Sequence, residues 1–188
     1  LISYPFSISQ EISEIEYDDG AYAPDDAMCE AGILEGIITE GSAAMYYDER
    51  YLGSLTAFWP GYGYWFRVSE DCEFQWPTPS TDNLARTVNT LPKVPDKFHY
   101  NQSSAQAFYF FENIENVKEG DWILSYNGDK VIGARQWTGE IIDVPAMGDD
   151  GSDFTKGYIQ VGSSPTFKLL QDDKLTKLEG DIPAWSNN

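Results

Sequence analysis

The sequence predicts a mainly β protein, in which a small α+β N-terminal module precedes a β-sandwich or jelly-roll-like C-terminal module. Asn127-Gly128 is a strong hairpin signal, because a two-residue type I′ turn needs positive φ at both central positions. Short runs of aliphatic and aromatic residues recur through residues 97–178, with turn residues between them. This spacing is typical of sandwiches and related β folds.

A proline-rich segment divides the chain. Residues 77–95 contain four prolines, a composition typical of linkers. We therefore expect a β-rich module with one short helix over residues 1–76, a linker over 77–95 and a β-sandwich module over 96–188.

The N-terminal module begins with an extended run at residues 1–8. Pro24, followed by Asp25 and Asp26, predicts the start of a helix that Gly32 keeps short. Extended segments are expected at residues 36–40, 43–47, 51–56 and 64–68.

The C-terminal module is predicted to contain eight short strands. The continuous apolar run at residues 107–111 predicts a central strand that is covered on both faces. The eight predicted strands are 97–101, 105–112, 122–126, 130–137, 141–144, 157–161, 166–170 and 175–178.

The charge of the chain limits its partners. There are 12 Lys and Arg residues against 31 Asp and Glu residues, a net charge of −19. Nucleic acid is disfavoured as a partner, because phosphate binding needs a basic surface, and acidic membranes would repel the chain. No apolar run is long enough to span a bilayer. We expect no cofactor, with Ca²⁺ as the one ion that abundant carboxylates would favour.

The segment from Gly148 to Asp153 is the candidate calcium site. Its carboxylates belong to Asp149, Asp150 and Asp153, and closely spaced carboxylates with glycines can wrap a hard cation. The spacing is not that of an EF-hand loop, and a solvated acidic turn is the alternative interpretation.

Aromatic residues supply a second candidate site. Aromatic rings stack on sugars, although aromatic residues in β modules more often form the core or pack against a neighbouring module. Alternation along a strand sends Tyr64 and Trp65 to opposite faces, so one of them should face outward. The candidate ligand or interface residues are Trp59, Tyr62, Tyr64, Trp65, Trp122 and Trp137.

The sequence offers no convincing catalytic set. His99 lies near Ser103 and Ser104, but a hydrolase triad is defined by spatial geometry, and a surface histidine is the better interpretation. Cys29 and Cys72 form a disulfide if the protein is secreted, and a reduced buried pair is the alternative.

Two groups of motifs resemble modules of secreted proteins. Leu1-Ile-Ser-Tyr-Pro5 with Pro60-Gly-Tyr-Gly-Tyr-Trp65 is similar to a small module with an opening "LIS-P" strand and a closing "PG-GYW" strand. Gly120-Asp-Trp-Ile123, Asn127-Gly-Asp129 and Asp143-Val-Pro-Ala-Met-Gly-Asp-Asp-Gly151 resemble a β-sandwich module of extracellular proteins of marine bacteria, several of which carry type 9 secretion signals. The cysteines are not part of either pattern.

The resemblance implies secretion and a non-catalytic role, and it transfers no site residues. We expect an extracellular structural or adhesive building block: a surface, appendage or filament subunit, or a spacer module of a longer protein. Its partners would be further copies or neighbouring modules. The alternatives are a carbohydrate- or calcium-binding module and a virion-associated decoration protein.

Overall fold

A computed structural model describes residues 1–12, 33–72, 74, 76 and 91–187, and the chain divides into two compact units, Leu1–Leu91 and Pro92–Asn188. Antiparallel strands dominate both units, so the prediction of a mainly β protein is confirmed. The predicted helix and most of the predicted linker lie outside the described residues. The strands are β1 Ile2–Ser3, β2 Gln10–Glu11, β3 Leu34–Thr39, β4 Ser42–Tyr47, β5 Arg50–Gly53, β6 Ala57–Phe58, β7 Gly63–Val68, β8 Gln106–Phe111, β9 Trp122–Asn127, β10 Lys130–Gln136, β11 Ile142–Met147, β12 Thr166–Gln171 and β13 Lys174–Lys177.

The first unit contains a five-stranded sheet in the order β1-β7-β3-β4-β5 and a two-stranded sheet of β2 and β6. Asp48 and Glu49 connect β4 to β5 with φ of 51° and 64°. Positive φ at both central positions is the property of a type I′ turn, which acidic residues supply here in place of glycine.

Aromatic rings form much of the core of the first unit. Tyr64 and Phe58 are fully buried, and their ring centroids lie 4.8 Å apart with the rings nearly perpendicular. Trp76 meets Phe58 at 4.8 Å and Tyr4 at 5.0 Å in the same edge-to-face arrangement. Such pairs add to the free energy gained by burying the rings.

The second unit contains a four-stranded sheet in the order β10-β9-β12-β13 and a two-stranded sheet of β8 and β11. One face of the larger sheet packs against β8 and β11 through a cluster that includes Ile123, Val144 and Phe167. The opposite face packs through Leu124 and Tyr126 against Phe98, which lies in a short 3-10 helix, Asp96–Phe98. The arrangement is sandwich-like, with both faces of the larger sheet covered.

The predicted β9–β10 hairpin is present, but its turn differs from the prediction. Asn127 pairs with Lys130, so Gly128 and Asp129 are the central residues, and of these only Gly128 has a positive φ, 58°. The predicted type I′ turn centred on Asn127-Gly128 is therefore wrong. A positive φ at a first central glycine suits a type II′ turn.

Two predicted strands are absent as strands. Residues 97–101 overlap the 3-10 helix that follows Pro95, and residues 157–161 contribute only an isolated bridge between Ile159 and Gly148. Tyr158 and Ile159 are both buried, so this segment does not alternate as a strand with one covered face does.

The prediction of a central strand at residues 107–111 is also wrong. This segment is β8, which, among the residues that the structure describes, pairs with β11 alone and lies at the edge of its sheet. Its apolar character has a different cause: Ala107, Tyr109 and Phe111 pack into the core, while Phe108 and Phe110 are half-buried on the other side.

The two sheets of the second unit lie very close together at Gly133. A Cβ atom at this position would lie 1.8 Å from the carbonyl oxygen of Pro145 in β11, so only glycine allows the approach. The Ser125 hydroxyl, on the paired strand β9, donates to the same oxygen at 2.6 Å. The sequence of β10 thus determines how near β11 can lie.

We expect Gly133→Ala to destabilise the protein by about 3 kcal/mol, because the added methyl group would displace the backbone of β11. Urea unfolding of the full chain measures the loss. Gly180→Ala is the matched control, since a Cβ there meets nothing within 4 Å, and it should change stability by less than about 0.5 kcal/mol. Equal effects of the two substitutions would contradict the packing argument.

Candidate functional site

The free edge of β8 is the first feature of the candidate site. Phe108 lies opposite Pro145, which has no N–H, and Phe110 lies opposite Asp143. The carbonyl oxygens of Pro145 and Asp143 accept hydrogen bonds from side chains of the four-stranded sheet, so they point away from β8. Because hydrogen-bonded and non-hydrogen-bonded pairs alternate in an antiparallel ladder, Phe108 and Phe110 direct their N–H and C=O groups away from β11.

These backbone groups lie beside a groove of about 650 Å³. One wall of the groove is β8 and the residues that follow it to Asn113, and the other is the C-terminal segment 178–186. Within the described residues, the backbones of Phe108 and Phe110 have no hydrogen-bond partner across the groove. The groove therefore presents an unpaired strand edge, which is a template for a further strand.

Trp185 holds the C-terminal wall in place. Its side chain is buried, and its Nε1–H donates to the Ala146 carbonyl at 2.8 Å. Its backbone N–H donates to the Ser163 carbonyl at 2.7 Å. At the end of the groove the Gln106 N–H donates to the Asn187 side chain at 2.9 Å. The groove is thus formed by fixed elements on both sides.

Tyr109 links the two walls. Its hydroxyl group donates to the Pro183 carbonyl at 3.2 Å, and its ring packs against Phe167 in the core. Burial raises the pKa of Tyr109 to about 12.

The edge strands β5 and β13 carry protection that β8 lacks. β13 is four residues long, fully exposed, and has Lys174 and Lys177 at its ends, while β5 is equally short and begins with Arg50. Short edges and charged residues on edges discourage pairing with other chains. β8 contains no charged residue over its six positions.

The aromatic residues predicted near the Pro60-Gly61 turn separate into core and surface. Tyr64 is buried, and its hydroxyl oxygen accepts the Trp59 N–H at 2.7 Å. Burial raises the pKa of Tyr64 to about 12. Trp65 is 47% exposed and Tyr62 is 48% exposed, so of the alternating pair Tyr64 and Trp65 it is Trp65 that faces outward.

The six candidate aromatic residues do not form one platform. Trp59 is half-buried, with its ring 6.4 Å from that of Tyr62. In the second unit, Trp137 belongs to the core and Trp122 packs against the cluster around Leu124. The exposed pair Tyr62 and Trp65 is what remains as a candidate glycan contact.

The acidic loop is held by its own carboxylates. Asp150 accepts hydrogen bonds from the Thr155 hydroxyl at 2.6 Å, from the Ser152 N–H at 3.1 Å and from the Ser104 N–H at 3.1 Å. These bonds, that of Thr155 first, lower the pKa of Asp150 below its ordinary value. Asp149 accepts the N–H groups of Gly151 and Gly157. The loop is thus ordered by carboxylate-to-backbone bonds.

The calcium prediction gains no support from this arrangement. Asp149 and Asp150 direct both of their carboxylate oxygens to donors within the protein, and Asp153 is exposed. Over the described ranges, no three His, Cys, Asp or Glu side chains converge as a metal site would require. Calcium binding at residues 149–153 stays a prediction.

The serine and histidine residues considered for catalysis have structural positions. The Ser103 hydroxyl is buried, donates to the Gly148 carbonyl at 2.7 Å and accepts the Ala105 N–H. Ser104 contacts Asp150 through its N–H and its hydroxyl, and His99 is exposed. Ser103 serves to join residues 103–105 to the end of β11.

A buried ion pair joins β10 and β11. The guanidinium group of Arg135 donates through Nη2 to the Asp143 carboxylate at 2.8 Å and through Nε to the Asp143 carbonyl at 2.9 Å. Both side chains are almost completely buried. Burial also raises the pKa of the nearby Tyr100 hydroxyl. No substrate can reach this pair, so its role is structural.

Cys72 is disulfide-bonded. The chain has one other cysteine, Cys29, which lies outside the described residues. The predicted Cys29–Cys72 pairing stays a prediction.

Comparison of the chain with protein-family models, with curated proteins and with solved structures finds no match. In the part of the chain that the structure describes, no helix has the length and hydrophobicity to cross a membrane. The resemblance to secreted bacterial modules stays a prediction, and the function must be argued from the geometry of this chain.

Stability should depend on pH through Asp150. A carboxyl whose folded pKa is lowered binds fewer protons when folded, so its stabilisation is complete above about pH 5 and is lost as pH falls through the lower folded pKa. The melting-temperature difference between the wild type and Asp150→Asn should therefore shrink as pH falls from about 5 to about 2. Asp153→Asn, which removes the same charge from the same loop, is the control, and an identical pH profile for both variants would contradict the assignment.

Breaking the ion pair between Arg135 and Asp143 should lower the free energy of unfolding. Asp143→Asn removes the negative charge that compensates the buried Arg135, and we expect a loss of about 3 kcal/mol or more in urea unfolding. Replacing the pair together, as Arg135→Met with Asp143→Leu, should restore much of that loss because no uncompensated charge remains. A double variant no more stable than Asp143→Asn would contradict this explanation.

Proposed function

We propose that this chain is an extracellular structural or adhesive building block that acts by contact and without catalysis. The observation that carries the proposal is the free edge of β8 beside a groove. There the backbone N–H and C=O groups of Phe108 and Phe110 face away from β11. Strand addition to such an edge is a general means of joining β modules. The chain would serve as a surface, appendage or filament subunit, or as a spacer module in a longer protein.

Two further observations support this role. Cys72 is disulfide-bonded, and disulfides persist mainly in oxidising environments such as the cell exterior. The charged residues that the structure buries, Arg135 and Asp143, bind each other rather than line a cleft. A contact role requires a stable scaffold with an available edge, and the second unit has both.

The net charge of −19 governs assembly in this proposal. At low ionic strength the copies repel one another, whereas salt shortens the reach of that repulsion to about 8 Å at 0.15 M. Contacts between copies or modules should therefore strengthen as salt is added, which is the opposite of an assembly held by ion pairs.

Light scattering on a sizing column, over a concentration series at low and at physiological salt, tests the proposal. We expect species larger than the 21.2 kDa monomer, more of them at higher salt, and fewer for Phe108→Pro. Proline at position 108 removes the outward N–H while leaving the ladder to β11 intact. A parallel series with Ca²⁺ tests the acidic loop. A monomer at every concentration and salt would contradict self-assembly.

A carbohydrate-binding role is the second candidate, and the exposure of Tyr62 and Trp65 favours it. Their rings are the aromatic surface that a sugar could reach beside the Pro60-Gly61 turn. We expect glycan-array binding, if it occurs, to be lost in Tyr62→Ala and Trp65→Ala. Tyr47→Ala, which removes a similarly exposed ring on β4, is the control. Binding that survives all three substitutions would exclude this surface.

A further inference from the structure

We propose that the groove beside β8 binds an extended, basic peptide segment of a partner protein, which adds as a strand to the free edge. The inference rests on the proposed contact role of this edge and names the chemistry of its occupant. It is carried by three features of the groove: its backbone groups, its length and its charge.

The backbone groups select an extended segment. Phe108 and Phe110 each present an N–H and a C=O toward the groove, and an added strand would pair with them in the ordinary ladder pattern. Because the Gln106 N–H is already bonded to Asn187, the available part of the edge is residues 107–111, about 17 Å long, and an occupant of about five residues matches it. In strand addition the backbone bonds supply affinity, and the alternate side chains supply specificity.

The charge of the rim selects basic side chains. The lining residues include three acidic side chains, Glu112, Glu179 and Asp181, and no lysine or arginine. The Glu179 Oε1 lies 2.9 Å from the Lys177 Nζ, whereas Glu112 and Asp181 form no ion pair with any residue that the structure describes. All three are exposed, so they can meet an incoming cation without a large cost of desolvation.

The half-buried phenyl rings of Phe108 and Phe110 add to the same preference. A lysine or arginine whose head group reaches a rim carboxylate can lay its aliphatic part along a ring, and its charge is attracted to the ring face. The net charge of −19 also attracts basic segments from a distance. A second copy of this acidic chain is a poorer occupant, because like charges meet at the rim.

The test uses the full chain and a synthetic peptide of four Lys-Val repeats with blocked ends, labelled for fluorescence anisotropy. We expect saturable binding, and protection of the Phe108 and Phe110 amides from hydrogen exchange when the peptide is bound. Three control peptides separate the contributions of charge, of side-chain alternation and of backbone hydrogen bonds to binding. Four Glu-Val repeats reverse the charge, a block sequence of four lysines and four valines keeps the charge without alternation, and methylation of every backbone nitrogen removes the donors.

Protein variants test the same groove from the other side. Phe108→Pro, and separately Glu179→Lys with Asp181→Lys, should each weaken peptide binding about tenfold, equivalent to about 1.4 kcal/mol. Asp129→Lys, a charge reversal in the exposed β9–β10 turn that does not line the groove, should change binding much less. Circular dichroism establishes that each variant is folded, and the methylated peptide tests edge pairing without any change to the protein.

Each outcome of these experiments either supports or overturns the proposed peptide binding. Binding by the alternating basic peptide that is lost on methylation and in both groove variants supports the proposal. Equal binding of the methylated or the block peptide shows attraction to surface charge alone and overturns it. Self-assembly through β8 without peptide binding overturns this inference and leaves the proposed function standing, whereas peptide binding by a strict monomer contradicts self-assembly and leaves this inference standing.

Discussion

The second unit depends on how closely β11 lies against the four-stranded sheet. Gly133 permits the approach, the Ser125 hydroxyl binds the Pro145 carbonyl, and Arg135 binds both the carboxylate and the carbonyl of Asp143. These contacts turn alternate carbonyls of β11 away from β8. By the alternation of an antiparallel ladder they also determine which groups of β8 face outward. A side-chain arrangement in the core thus determines the chemistry of an edge on the surface.

The remaining elements of the second unit attach to the same strand. Trp185 donates to the Ala146 carbonyl, and its ring lies where a Cβ on Gly148 would be, so the C-terminal wall is positioned by the end of β11. The Ser103 hydroxyl donates to the carbonyl of Gly148. The Asp150 carboxylate accepts hydrogen bonds from the Ser104 N–H and from the Thr155 hydroxyl of its own loop. Two of the carboxylates that suggested a metal site, those of Asp149 and Asp150, hold the loop that follows β11. The position of the groove's C-terminal wall therefore depends on contacts with the end of β11.

The sequence was sufficient for the fold class and for most strands, because turn residues and alternation are local properties. Local signals failed where tertiary context decided the outcome. The Phe-rich run predicted a central strand, since hydrophobicity does not distinguish a covered strand from an edge strand beside a groove. One signal was available. Pro145 directly follows the predicted strand at residues 141–144, and a proline has no N–H to donate to a neighbouring strand. The type I′ turns at Asp48-Glu49 and Asp172-Asp173 have positive φ without glycine, which composition alone does not reveal. Of the candidate sites, alternation predicted that one of Tyr64 and Trp65 faces outward, while the edge of β8 could be found only from the pairing.

The chain order of the second unit has a consequence for its synthesis. β8 leaves the ribosome well before the segment that carries Trp185, so its apolar edge forms while the opposite wall of the groove is still missing. Nascent or partly folded chains with unpaired strand edges are prone to associate with one another. Between these two points of synthesis the apolar residues of β8 lack the wall that residues 178–186 later provide, so β8 stays open to such association until that segment has been made.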